Sequence, residues 1–431
     1  MMHRLAPVLG AQFFSSLADN ALLIAAIALL TSLNAPDWMT PLLRLVFVLS
    51  YILLASWVGV LADMWPKGRV MFVTNLIKIG GCLLLLFGSH PLLAYGVVGA
   101  GAAAYSPAKY GILAEMLPPQ KLVAANGWME GLTVISIILG IVLGGILVDP
   151  AVGKTLLGFM HMTVTGQTTL ADAAIVVVTL VYGVAALINL KICNTGAKYP
   201  NARFNALGNV ITFAKTCKTI FTDTFCVSSL LVTTLFWGTG AVLQFLVLRW
   251  ADERLGLPLS QASMLQAVVS VGIAFGAVLA ARLVPIHRAF HVLWTGVAMG
   301  LSVAAMSFYS SSLVPGSVTI LHETVRTSVL VACLMMIVVG TLAGLFLVPM
   351  NAVFQRRGQL LLSSGQAVAV QNLSENTMIL TMLGIYALLV KVQLSVQTTM
   401  LAFGFFLTAA MTAILYHRFY LKPQESLEKA L

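Results

Sequence analysis

The sequence predicts an all-α polytopic membrane protein, with about twelve transmembrane helices arranged as two six-helix halves. Three observations lead there. Of 431 residues, 59% are hydrophobic and only 9% charged, whereas a soluble domain carries roughly 25% charged residues. The apolar residues gather into runs long enough to cross a bilayer, which takes about 20 mostly apolar residues per helix. The longest polar stretch, 194–222, divides the chain nearly in half.

Read between polar breaks, the spans fall near 7–31, 42–62, 70–88, 92–113, 123–147, 172–193, 223–250, 262–284, 288–310, 328–352, 366–392 and 397–417. The first run is too long for a signal-peptide core and no small-residue cleavage site closes it, so it reads as a retained span. With both termini on one side, that side receives Arg4, Lys67, Arg69, Lys121, Lys191, Lys198, Arg203, Lys215, Lys218, Arg282, Arg288, Arg356, Arg357, Arg418, Lys422 and Lys429. The other side receives Arg44, Lys154, Arg249, Arg254, Arg326 and Lys391. The excess of basic residues marks the cytoplasmic face, so both termini are expected inside. The 194–222 stretch holds four basic residues and no acidic one. It is expected to be a cytoplasmic linker between an N-terminal half, 1–193, and a C-terminal half, 223–431.

Several chemistries are not encoded. Cys82, Cys193, Cys217, Cys226 and Cys333 are scattered and odd in number, which speaks against a disulfide framework or a metal site. No cofactor is expected. The net charge of +10 reads as positive-inside topology and attraction to anionic membrane lipid rather than affinity for nucleic acid. A nucleotide-binding glycine loop, a Gly-x-Ser-x-Gly elbow and the His and Asp spacing of an acyltransferase are all missing, so an enzyme is not expected.

A faint internal repeat agrees with the division in half. Ser106-Pro107-Ala108-Lys109 followed by Ala125-Asn126-Gly127-Trp128-Met129-Glu130 joins spans four and five. Val348-Pro349-Met350-Asn351 followed by Gly365-Gln366-Ala367, with Glu375 further on, joins spans ten and eleven. In each half a proline and a polar residue near one span's end precede a small, polar start to the next, as a parallel duplication requires.

Two groups of residues carry the candidate chemistry. Gly59-Val60-Leu61-Ala62-Asp63-Met64-Trp65-Pro66-Lys67-Gly68-Arg69 follows span two. Asp63 sits where it could pair across a seam between helices, with Lys67 and Arg69 on the cytoplasmic side, so these three are gating candidates. The second group lies at membrane depth, where a charge costs about 2.5–3.5 kcal/mol and must face a cavity or a partner. Asp19, Lys109, Glu130 and Glu375 belong to it, the last flanked by Gln371, Asn372 and Asn376. Lys78 interrupts span three, where it could either snorkel or take part. Both signs of charge are present. A substrate with phosphate and ammonium groups would satisfy them, Lys109 drawing the phosphate and Asp19 or Glu375 the amine.

The Gly59–Arg69 loop resembles the signature loop of the major facilitator superfamily. Gln12-Phe13-Phe14-Ser15-Ser16-Leu17-Ala18-Asp19-Asn20-Ala21-Leu22-Leu23, Tyr105-Ser106-Pro107-Ala108-Lys109-Tyr110-Gly111, Leu235-Phe236-Trp237-Gly238 and Gln371-Asn372-Leu373-Ser374-Glu375-Asn376 together resemble the bacterial lysophospholipid transporters of that superfamily. The resemblance implies the major facilitator fold in a Gram-negative inner membrane. It implies a flippase that moves lysophospholipids, chiefly 2-acyl-glycerophosphoethanolamine, inward by facilitated diffusion. An acyltransferase/acyl-carrier-protein synthetase on the cytoplasmic face is the implied partner, and the transporter itself is expected to be a monomer. By motif, Asp19, Asn20, Lys109 and Glu375 become substrate or gate residues. Two positions depart from the family pattern: Gln244 replaces a basic residue and Arg356 an acidic one. The competing readings are a proton-coupled exporter of amphiphiles with Asp19 as the titrating acid, a membrane-embedded lipid-modifying enzyme, and a non-transporting scaffold.

Overall fold

Apolar runs of this length fold as helices because a bilayer offers no hydrogen-bond partner to an open backbone. The computed structural model describes residues 2–36, 39–160, 169–197, 199, 204–257, 259–320 and 323–418. Lys198, Arg203, Lys422 and Lys429, counted above for orientation, lie outside the described residues. The helices are α1 (Met2–Ser32), α2 (Met39–Leu53), α3 (Ala55–Met64), α4 (Lys67–Leu86), α5 (Pro91–Met116), α6 (Pro119–Leu147), α7 (Pro150–Met160), α8 (Leu170–Asn189), α9 (Ala206–Thr222), α10 (Thr224–Leu255), α11 (Leu259–Leu283), α12 (Leu293–Met306), α13 (Thr327–Leu361), α14 (Ser364–Lys391) and α15 (Val396–Tyr416).

Every expected span has its helix. Among the described residues ten helices are long and apolar enough to cross a membrane, and α2 with α3, bent by 65°, makes an eleventh. α5 falls outside that set although it has 26 residues, because glycine, alanine and tyrosine dilute its apolar content. The bend after α2 follows Ser50, whose hydroxyl donates to the Val46 carbonyl 3.0 Å away, a back-bond that loosens and bends helices. Three elements were not foreseen: the short helix α7, the linker helix α9, and an antiparallel hairpin of β1 (Ser317–Ile320) and β2 (Glu323–Arg326), with Ser317 opposite Arg326.

The chain folds as two compact units. The first comprises Met1–Leu117, Ile135–Thr219 and Gly358–Leu373. Its core joins α1, α4, α5 and α8 through small and medium side chains such as Ala18, Ala21, Cys82, Val98, Ile175 and Tyr182. The second comprises Pro118–Val134, Ile220–Arg357 and Ser374–Leu431. There α11 and α13 approach backbone to backbone: a Cβ added at Gly276 would lie 2.1 Å from the Thr341 carbonyl oxygen. Without a hydrophobic drive inside lipid, such close contact between small residues is what holds spanning helices together.

Candidate functional site

The first unit holds an ion pair whose lysine is buried and whose aspartate is half-buried. Ser15 and Asp19 stand one turn apart on α1, with Asn75 and Lys78 on the facing stretch of α4. The Lys78 ammonium donates to both Asp19 carboxylate oxygens, at 2.8 and 3.0 Å, and to Ser15 Oγ at 3.0 Å. That uses all three of its donors. Tyr182 from α8 donates its hydroxyl to Asp19 Oδ1 at 2.6 Å, and Ser15 donates to Asn75 Oδ1 at 2.9 Å. Lys78 lies over the rings of Tyr105 and Tyr182, 5.0 and 5.4 Å from their centroids. Its stem passes Gly101, where an added Cβ would sit 2.8 Å from Lys78 Cγ. Lys78 is only 1% exposed; it does not snorkel, and it is the partner Asp19 requires. Beside the pair, the buried Tyr105 hydroxyl and Asn75 Nδ2 have no hydrogen-bond partner among the described residues.

A second cluster in the same unit gathers the signature loop. Asp63, at the end of α3, accepts the Gly365 backbone N–H at 3.1 Å and the Ser363 hydroxyl. Ser363 caps α14 by accepting the Gln366 N–H at 3.3 Å, so Asp63 adds a carboxylate at the positive end of that helix dipole. Lys67 donates to Asp63 at 2.5 Å and to the Ala62 carbonyl at 2.9 Å, and lies 3.3 Å from Glu115 on α5. Glu115 in turn accepts the hydroxyls of Ser364, Thr195 and Tyr199 at 2.6, 2.8 and 2.9 Å. Burial and the Glu115 carboxylate push the Tyr199 hydroxyl up to about 12, against a weaker opposing bond from Ser364, so it stays a donor. Gly59 permits the approach: a Cβ there would meet the Gln366 Cα at 2.9 Å.

This latch contains Asp63 and Lys67 but leaves Arg69 exposed to one side. Glu115, Ser363, Ser364 and Tyr199 were not singled out from the sequence. Glu115 closes a span on the side that carries Lys67, which was the available signal. Asp63→Asn should weaken a charge-assisted contact worth about 1.5–3 kcal/mol. Hydrogen exchange of the first-turn amides of α14 should then quicken by about tenfold or more; unchanged protection would show that Asp63 does not hold that end.

The other membrane-depth residues are placed as follows. Lys109 is buried, its ammonium 4.1 Å from the centroid of the Tyr110 ring. Asn20 is half-buried and donates to the Ser16 carbonyl of its own helix at 2.8 Å. Gln371, Asn372 and Glu375 are buried and Asn376 half-buried on successive turns of α14. Within the first unit Ser106 of α5 donates to Asn372 Oδ1 at 3.2 Å. Within the second, Asn126 of α6 and Gln355 of α13 exchange amide hydrogen bonds at 2.9 and 2.8 Å, and Asn351 donates to Glu130 at 3.4 Å. The faint repeat thus acquires a physical form. α5 meets α14 and α6 meets α13, and Pro107 and Pro349 lie inside α5 and α13 respectively. Gln244 lends its backbone carbonyl to Gln266 Nε2 at 2.6 Å. Arg356 is half-buried, while its neighbour Arg357 pairs with Asp223 at 2.8 Å.

The sequence pattern of the Major Facilitator Superfamily matches residues 8–374. The lysophospholipid transporter LplT of Yersinia pestis (strain Pestoides F) is 41% identical over 385 residues, covering 89% of this chain and 86% of the relative. LplT of Yersinia pseudotuberculosis serotype O:3 (strain YPIII) matches to the same extent. The chain belongs to the LplT family of the Major Facilitator Superfamily. Membership in the LplT family makes it a multi-pass membrane transporter rather than an enzyme. Solved structures similar to it share the Major Facilitator fold. The human organic anion transporter MFSD10 superposes with a TM-score of 0.70 at 12% identity, over 96% of this chain and 98% of its own. The E. coli fucose:proton symporter FucP gives 0.69 at 11%, over 95% and 97%. A bacterial homologue of ferroportin gives 0.66 at 15%, over 95% and 98%.

Proposed function

We propose that this LplT-family member is a lysophospholipid flippase. It carries single-tailed phospholipids, chiefly 2-acyl-glycerophosphoethanolamine, inward across the bacterial inner membrane by facilitated diffusion. The near-full-length similarity to transporters named for lysophospholipids carries the reading. Buried groups of both signs support it. Lys109 offers an ammonium to the phosphate, and the Asp19 carboxylate, with the Tyr105 hydroxyl and Asn75 Nδ2 beside it, which have no partner among the described residues, offers polar contacts to the rest of the headgroup. Glu130, Gln371, Asn372, Glu375 and Asn376 complete the proposed substrate path, and Asp63, Lys67 and Arg69 belong to its cytoplasmic gate. The acyl tail stays against apolar helix surface.

In this reading α5 also crosses, giving twelve spans with both termini on one side; the excess of basic residues there makes that side the cytoplasm, and the 194–222 linker joins halves 1–193 and 223–431. The acyltransferase/acyl-carrier-protein synthetase consumes the delivered lipid there, and the transporter works as a monomer. Proton-coupled export is the weaker reading, because the Asp19 carboxylate is already engaged by Lys78 and Tyr182. Purified protein in vesicles should move labelled lysophosphatidylethanolamine between leaflets, leave it chemically unchanged, and keep doing so with a protonophore present. Flux abolished by the protonophore would favour the proton-coupled reading; no flux from well-folded protein would favour a scaffold.

A further inference from the structure

The linker was expected to be a polar connection, but 17 of its residues form α9. This helix has two unlike faces. Asn209 and Thr216 are buried on one of them, against a seam formed with Ser56, Gly59, Val60 and Gln366. Thr216 donates to the Gln366 side chain at 3.1 Å, and the Trp57 indole N–H donates to the Ala206 carbonyl at 3.0 Å. The side of α9 that carries Asn209 and Thr216 therefore faces the protein, together with the buried Ile220 and with Phe213, which packs against the core at Val58 and Ala369. Its apolar side faces out: Leu207 is 80% and Ile211 62% exposed, with Val210 and Phe221 exposed beside them. The spacing 207, 210, 211, 214 and 221 is that of one stripe along a helix.

An aqueous surface does not accommodate such a stripe, since each fully exposed large aliphatic side chain forgoes the favourable transfer that burial would give it. Lys215 and Lys218 are exposed on the same outer side, and residues 194–222 contain no acidic residue. α9 runs through Asp223 directly into α10, a spanning helix, so it cannot leave the bilayer surface. An apolar stripe bordered by lysines beside a membrane matches an in-plane helix, whose apolar side enters the acyl boundary while its cations meet anionic headgroups.

We infer that α9 lies in the membrane surface as an anchor that recognises anionic phospholipid, and that this lipid holds the Thr216–Gln366 contact and with it the segment that carries Gly365 onto Asp63. The lipid concerned is structural, bound on the outer face of α9, and is not the transported molecule. The inference requires neither the substrate nor the orientation proposed above, because vesicles of symmetric composition present the same lipid on both sides.

The test uses the full-length chain with its cysteines replaced by alanine and a spin label introduced through Ile211→Cys. It is reconstituted in phosphatidylethanolamine vesicles with or without phosphatidylglycerol. Contact with dissolved oxygen reports lipid immersion and contact with a nickel chelate reports water. We expect the label to be oxygen-accessible and nickel-shielded when phosphatidylglycerol is present, and much less so in its absence or at high salt. Adding Lys215→Glu and Lys218→Glu should reduce the immersed fraction about tenfold or more in phosphatidylglycerol vesicles, and have little effect without it. Nickel access in both compositions would overturn the inference. So would immersion that ignores phosphatidylglycerol, or shielding that arises only when a soluble protein fraction is added, which would make the stripe a protein-docking face.

Discussion

Replacing Lys78 with alanine is expected to destabilise the protein by about 1.5–3 kcal/mol, the scale of a lost charge-assisted contact. The reason is the state left behind. Asp19, half-buried, would keep the Tyr182 hydroxyl but lose a cation that contacts both of its oxygens. Asp19→Asn is expected to be costly for the mirror-image reason, since it leaves a 1% exposed ammonium facing an amide. The substitution therefore tests folding as well as transport. Asp19→Asn combined with Lys78→Met should cost less than the sum of the single changes, because each removes the group that makes the other harmful. Thermal unfolding of the four proteins in one detergent gives the cycle. Additive losses, or a Lys78→Ala protein that melts with the parent, would show that the pair is energetically inert.

Hydropathy made most spans legible because lipid permits few alternatives to a helix, and ten of the described helices, with the bent α2–α3 pair, are long and apolar enough to cross. What hydropathy misses is sidedness. Lys78 looked ambiguous because the alternation of apolar residues along span three does not say which neighbour its face will meet; α1 and α8 decide that. α9 was hidden for a related reason. Its inward stripe mixes Asn209 and Thr216 with Ile220, and its outward side mixes Leu207 and Ile211 with lysines, so a window average reads it simply as polar linker. The cluster around the signature loop was half legible. Asp63 and Lys67 lie in one continuous motif, whereas Glu115 joins them through Ser364 and Tyr199, which are distant in sequence, and no single sequence displays that proximity. The repeat was visible only as two prolines with polar companions, and it became specific once Asn126 met Gln355 and Ser106 met Asn372.

Lys109→Ala is expected to reduce lysolipid flux by about tenfold or more while leaving the fold largely intact. Lys109 belongs to α5, a helix with Pro107 inside it. That proline withholds a backbone N–H and leaves the carbonyl one turn earlier without its usual donor, so the backbone is locally irregular where the cation emerges. The ammonium is buried and rests on the Tyr110 ring. That contact steadies the cation. Losing one member of a desolvated charged contact costs about 2–5 kcal/mol, and the loss appears as flux if the contact forms on the transport path. Lys109→Arg should restore only part of it, because a planar fork does not replace a compact ammonium in a fitted site. Preference for acyl-chain length should be unchanged in both variants, since apolar helix surface reads the tail. Uptake of labelled lysophosphatidylethanolamine into vesicles, normalised to folded protein, measures all three. Wild-type flux through well-folded Lys109→Ala would show that this lysine is structural, and would move the headgroup site to Glu375 and its neighbours on α14.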